Sequence, residues 1–173
     1  MKYTTIQKLN SQEFKRFTGV HKSTFKMMPQ GWQEYDVSQS NAGRPTKLER
    51  PEQLLVALQY WREYRTYFHM AQDWEISEAT VCRIVHRVET VLMKSGRFQI
   101  PGKKHLVKGF GTPNIILIYN HPLSQERIGI EHINRSLNTF RILAGRYRNR
   151  CCRYNLRCNL IAALYNHELS LTA

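Results

Sequence analysis

Apolar residues recur at helical spacing along most of the chain, and the breaks between runs carry recognisable caps. Asn10 with Glu13 three positions on predicts a capping box, and Gly19 predicts the stop of that first helix. A second helix is expected from about Lys22 to Tyr35, with Phe25, Met28 and Trp32 on one face. Residues 38–47 are polar, contain Gly43 and Pro45, and read as a linker. Pro51 suits the first turn of a third helix, whose stripe is Leu54, Leu55, Leu58 and Trp61. Two more helices, joined near Glu75 and Ile76, are expected between Thr66 and Lys94. After Gly96 and Pro101 the pattern turns strand-like over 106–119 but is broken by glycines and a proline. It becomes helical again from about Gln125 to Phe140, and a basic extended stretch runs from Gly145 to Arg153. A last helix from about Asn155 to His167 carries Leu156, Leu160, Ile161 and Leu164 on one face. No internal repeat or low-complexity tract interrupts this order.

The segment from Tyr67 to Ile84 has the pattern of a helix-turn-helix. Ala71 is the small residue needed where two helices cross. Met70, Trp74, Ile76, Val81 and Ile84 are apolar where the pair must be pinned to the body, and Ser77 is a good N-cap. On the second helix Val81, Ile84, Val85, Val88, Val91 and Leu92 form the stripe to be buried. Ala79, Arg83, His86, Arg87, Thr90 and Lys94 form the opposite, polar and cationic face, whose N-terminal part would enter a major groove. Arg83 suits a bidentate guanine contact, while Ala79 and Thr80 suit a thymine methyl or a phosphate. The turn position most often held by glycine is Glu75. A packing-only helix pair is the alternative, and the basic outer face argues against it. Arg44, between Gly43 and Pro45, has the setting of a minor-groove arginine, although such a triplet also serves as a plain linker.

Charge sharpens this picture. The 173 residues hold 26 Lys and Arg against 13 Asp and Glu, a formal charge of +13 that favours an anionic partner. Residues 1–96 contribute +4 and residues 97–173 contribute +9. Arg146, Arg148 and Arg150 alternate, so an extended chain would present them on one side, with Arg153 and Arg157 following. That run reads either as a solvated loop or as a set of phosphate contacts. The four cysteines form no C-x-x-C pair; Cys151, Cys152 and Cys158 with His167 could gather around zinc, but adjacent cysteines on a basic segment read better as free thiols, and no metal site is expected. The longest apolar run, 115–119, falls far short of the ~18 residues of a membrane span. The N-terminus lacks the apolar core of a secretory signal. A cytoplasmic, nucleoid-associated protein is therefore expected.

Two blocks of the chain resemble the DDE-class transposases of bacterial insertion sequences. The first is Leu54 to Gly96, above all Tyr60 to His69 and Ile76 to Arg83, which looks like their N-terminal helix-turn-helix domain. The second comprises Glu126 to Arg135, Phe140 to Arg150 and Asn159 to Asn166, which looks like the C-terminal end of the same proteins. The resemblance implies a mainly α chain: a helical helix-turn-helix domain at 1–97, a junction at 98–122, and at 123–173 a helical remnant of an α/β ribonuclease H-like domain. Such transposases hold two divalent metals, Mg or Mn, with two aspartates and a glutamate. The resemblance puts the glutamate at Glu131, with Arg127 four residues earlier and Asn138 at a position the family fills with a basic residue. The only aspartates are Asp36 and Asp73, and none follows. Residues 103–122 are too few for the missing sheet. Glu131 is therefore expected to be an inactive orphan, paired on the helix surface with Arg127 and Arg135, and the chain to need no cofactor. The implied function is binding of double-stranded DNA at a terminal inverted repeat, with self-association or association with intact transposase as further partners. Two alternatives stand beside it. One is an active nuclease subunit using Glu131 with a separately supplied core, and the other a free-standing transcriptional regulator. An RNA-binding reading fits the charge but has no motif.

Overall fold

The computed structural model describes residues 3–29, 32, 46–95, 98, 131–145 and 153–172, and all the regular structure among them is helical. Three short helices open the chain: α1 (Tyr3–Gln7), α2 (Ser11–Thr18) and α3 (Lys22–Met27). The α2 caps form as expected. Glu13 N–H donates to Asn10 Oδ1 at 2.8 Å, Asn10 N–H donates to Glu13 Oε2 at 2.9 Å, and Gly19 closes the helix in the left-handed region. Helix α3 ends at Met27, earlier than Tyr35, yet Phe25, Met28 and Trp32 are all buried as the pattern required. Helix α1 carries only Ile6 as a buried apolar residue, too little periodicity to announce a helix.

Helix α4 (Arg50–Glu63) is the axis of the molecule. Its expected stripe is buried, but so are Val56, Ala57, Gln59 and Tyr60. It is wrapped on several sides, by α1 and α2, by the second helix of the helix-turn-helix, and by a C-terminal helix α8 (Arg141–Ala144). The buried amides are used: Trp74 Nε1 donates to Gln59 Oε1 at 2.9 Å, and Gln53 Nε2 donates to the Leu48 carbonyl at 2.9 Å.

The helix-turn-helix consists of α5 (Tyr67–Trp74) and α6 (Glu78–Lys94). Helix α7 covers 131–137, and α9 (Tyr154–Thr172) ends the described chain, beginning and finishing slightly outside its expected bounds. The apolar face of α9 does not wait for an absent domain. It packs on α6 and α3, and Leu160, Ile161, Ala163 and Leu164 join one core with Phe140, Ile142 and the α4–α6 residues.

Polar clasps fasten both ends of α9. At its start, Arg157 Nε donates to Glu89 Oε1 at 2.5 Å, and Arg153 donates to Glu89 Oε2 at 2.8 Å and to the His86 carbonyl at 3.3 Å. Glu89 and Arg157 are essentially inaccessible, and Trp61 Nε1 lies 3.4 Å from Glu89 Oε1. This corrects the expectation for Arg157, which is a buried structural cation and not a phosphate contact. It also occupies the inner position on α9 that Leu156, only half-buried, was expected to hold. At the far end, Glu168 accepts from His21 N–H at 2.5 Å and from the Thr24 hydroxyl at 3.3 Å, with Lys15 3.6 Å away.

Two substitutions test this packing in urea denaturation followed by circular dichroism. Glu89→Ala leaves Arg157 buried without its counter-ion and is expected to cost about 3–5 kcal/mol, most of which the paired Glu89→Met, Arg157→Met replacement recovers. Gly19 has φ +85°, and a β-carbon there would come within 2.6 Å of the Phe140 ring. Gly19→Ala is therefore expected to cost about 2 kcal/mol, from backbone strain together with displacement of Phe140.

Candidate nucleic-acid interface

The outer face of α6 is built from its capping upward. Ser77 adopts extended backbone and its Oγ accepts from Thr80 N–H at 3.2 Å, while the two hydroxyls lie 2.8 Å apart. This fixes the first turn of the helix, leaving Ser77 and Ala79 exposed and Thr80 half-buried. Arg83 and Arg87 follow at one-turn spacing, both exposed, and neither forms an ion pair with a described residue. Two free guanidinium groups on one helix face can approach base edges or phosphates without first breaking an internal pair. Behind them Val81, Ile84, Val85, Val88, Val91 and Leu92 are buried, all as the periodicity required.

The turn itself is held from two sides. Glu75 sits at φ 53°, the left-handed conformation that the commoner glycine adopts freely. Ile76 N–H donates to the Ala71 carbonyl at 3.0 Å and closes the end of α5. Lys47 Nζ then donates to the Glu75 carbonyl at 2.6 Å, placing a cation beside the turn. Ala71, Met70 and Trp74 are buried at the crossing, and Ile76 is half-buried. Lys47 went unnoticed among the candidate residues because it lay in what read as a linker.

His86 is less open than expected. It is half-buried on the seam with α9, its carbonyl accepts from Thr90 Oγ1 at 2.9 Å, and Arg153 bonds the same carbonyl. Burial, followed by the neighbouring Arg153 guanidinium, lowers its pKa from the ordinary 6.5. At neutral pH it faces outward as a neutral imidazole, a hydrogen-bonding group and not a third cation.

The remaining candidates are dispersed or outside the described residues. Arg44, Arg127, Arg146, Arg148 and Arg150 lie outside them, as do Cys151 and Cys152. Glu131 and Arg135 are both exposed on the helix described over 131–137. Among the described residues no group of three or more His, Cys, Asp or Glu side chains could hold a metal ion. Asp73, the aspartate within those residues, is bonded by Arg65 beside α5. Among the described residues, no helix is long and apolar enough to cross a membrane.

Comparison with known proteins agrees with this geometry. The family model for the helix-turn-helix of DDE superfamily endonucleases matches residues 46–98, which begin at Lys47's neighbour and contain α4, α5 and α6. The chain is also similar to the probable transposase for insertion sequence element IS702 of Microchaete diplosiphon. The two are 28% identical over 276 residues, an alignment that takes in 100% of each. With 173 residues this chain leaves at least 103 of those positions unfilled. No solved structure matches it. Residues 46–98 thus match the helix-turn-helix of DDE superfamily endonucleases, and the chain as a whole is similar to, and shorter than, an insertion-sequence transposase.

Proposed function

We propose that this protein binds double-stranded DNA at a transposon terminal inverted repeat through the outer face of α6, and that it does not cut the strand it holds. The reading is carried by one observation: Arg83 and Arg87 stand exposed beyond a capped helix N-terminus, with Val81, Ile84, Val85, Val88, Val91 and Leu92 of that helix turned to the core. Ser77, Ala79, Thr80 and Arg83 form the part that meets the groove. His86 borders it, and Arg87 reaches phosphates. Arg44, Arg146, Arg148 and Arg150 complete the proposed set from segments outside the described residues.

Cleavage by two metals needs several carboxylates converging on one phosphate, so that both attacking and leaving oxygens are stabilised. No aspartate lies between Asp73 and Glu131, where the catalytic aspartates would be expected, and Asp73 is committed to Arg65. A chain that keeps the grip and lacks the cutting centre would occupy transposon ends and compete there with intact transposase.

Two measurements test the reading. In mobility-shift assays on inverted-repeat duplex, the protein is expected to bind at least ~10³-fold tighter than to random duplex. Arg83→Ala should remove about 1–3 kcal/mol of that discrimination. Retardation no better than with random DNA would refute the specific site. With purified protein and Mg²⁺ or Mn²⁺, supercoiled plasmid carrying the repeat should remain uncut. Metal-dependent nicking abolished by Glu131→Ala would establish an active nuclease instead.

A further inference from the structure

The family model covers residues 46–98, and the part of it in α4 to α6 is electrically balanced. Residues 46–95 contain seven basic and seven acidic side chains. Affinity for a duplex rests largely on neutralising phosphates, and this segment supplies no net charge for it. Residues 1–29, which lie before the matched region, hold six basic side chains against Glu13 alone.

Lys8, Lys15, Arg16, Lys22 and Lys26 lie on α2, α3 and the turn after α1. Lys22 Nζ donates to the Gln7 carbonyl at 3.4 Å and to the Leu9 carbonyl, so it lies against the turn that carries Lys8. Lys26 follows Lys22 one helical turn along α3, and Arg16 projects from the neighbouring α2. Lys8, Arg16 and Lys26 are exposed, and none forms an ion pair with a described residue. The acids nearby are already engaged. Glu13 is held by the Asn10 backbone, and Glu168 by Lys15, His21 and Thr24.

Helix α9 gives the scale. Arg153 at its start is bonded to the middle of α6, and Glu168 near its end is bonded to the start of α3. Fifteen residues at ~1.5 Å each put the two places about 22 Å apart, less than one ~34 Å turn of duplex.

We propose that Lys8, Arg16 and Lys26 form a second phosphate-binding surface, which engages the duplex outside the bases met by α6. This rests on the DNA-binding reading above. The test is the salt dependence of binding, by fluorescence anisotropy, to a labelled random-sequence duplex of about 30 base pairs, long enough for both surfaces at ~3.4 Å per pair. The Lys8→Gln, Arg16→Gln, Lys26→Gln protein should keep its thermal midpoint. Its slope of log affinity against log salt should fall in magnitude by about 2–3, at ~0.9 per phosphate released, with affinity at low salt down about 10- to 100-fold. A slope equal to that of the unmodified protein, while Arg83→Ala still weakens binding, overturns this inference alone and leaves an acidic protein as the occupant of the surface. An equal loss per charge removed in Arg135→Gln, Arg141→Gln would also overturn it, since overall charge would then account for the effect. Absence of binding by the unmodified protein would overturn both this inference and the reading beneath it.

Discussion

A single carboxylate, Glu89, decides how this chain is put together. It stands on the inner face of the helix whose outer face is the candidate DNA surface, among Val85, Val88 and Leu92. An ionised carboxylate taken out of water without partners costs several kcal/mol even after the surroundings relax. The molecule meets that cost with three donors drawn from two distant places: the Trp61 indole on the central helix, and the Arg153 and Arg157 guanidinium groups at the start of α9. Arg157 lies in turn over the Tyr60 ring, 5.2 Å from its centroid, so its own charge is also compensated. Such an arrangement adds little net stability over a purely apolar core. It does penalise any packing of α9 that leaves either charge alone, and so selects one seating of that helix.

The second clasp repeats the device with the charges reversed. Here the acid, Glu168, belongs to α9, and the donors come from the N-terminal helices. Its bond to the His21 N–H satisfies a backbone donor at the start of α3 that has no partner within the helix, and His21 itself provides no side-chain cap. Between these two points α9 contributes Leu160, Ile161 and Leu164 to the shared core. The C-terminal helix is thus a brace across the back of the DNA-facing module. On the outer face of α6, Ser77, Ala79, Arg83 and Arg87 are exposed.

Features set by neighbours within one or two helical turns could be read from the residues alone. The Asn10–Glu13 capping box, the Gly19 stop, Ser77 as an N-cap, Ala71 at the crossing and the valine stripe of α6 all depend on local spacing, and all stand in the structure. What escaped was set by distance along the chain. Glu89 is four residues from Val85, on the apolar stripe itself, and Arg157 is three residues from Leu160 on another. An acid and a base each breaking an apolar stripe is a signal that the two stripes meet. The periodicity of either helix alone does not say with what. The same holds for α4, where four apolar residues marked one face, yet Gln59 and Tyr60 are buried because other helices close around it.

The two aspartates illustrate why residue counts need geometry. Asp73 lies near the end of α5, an acid whose sequence position is N-terminal to the expected place of a catalytic core. The structure gives it another employment, an ion pair with Arg65 just before that helix, which links the approach to α5 with its last turn. A carboxylate bonded by a guanidinium has lone pairs that are already directed. To recruit it as a metal ligand, the Arg65 contact would have to be broken. Burial of Met70, Ala71 and Trp74 fixes α5 on the core, and with it the place of Asp73 beside Arg65.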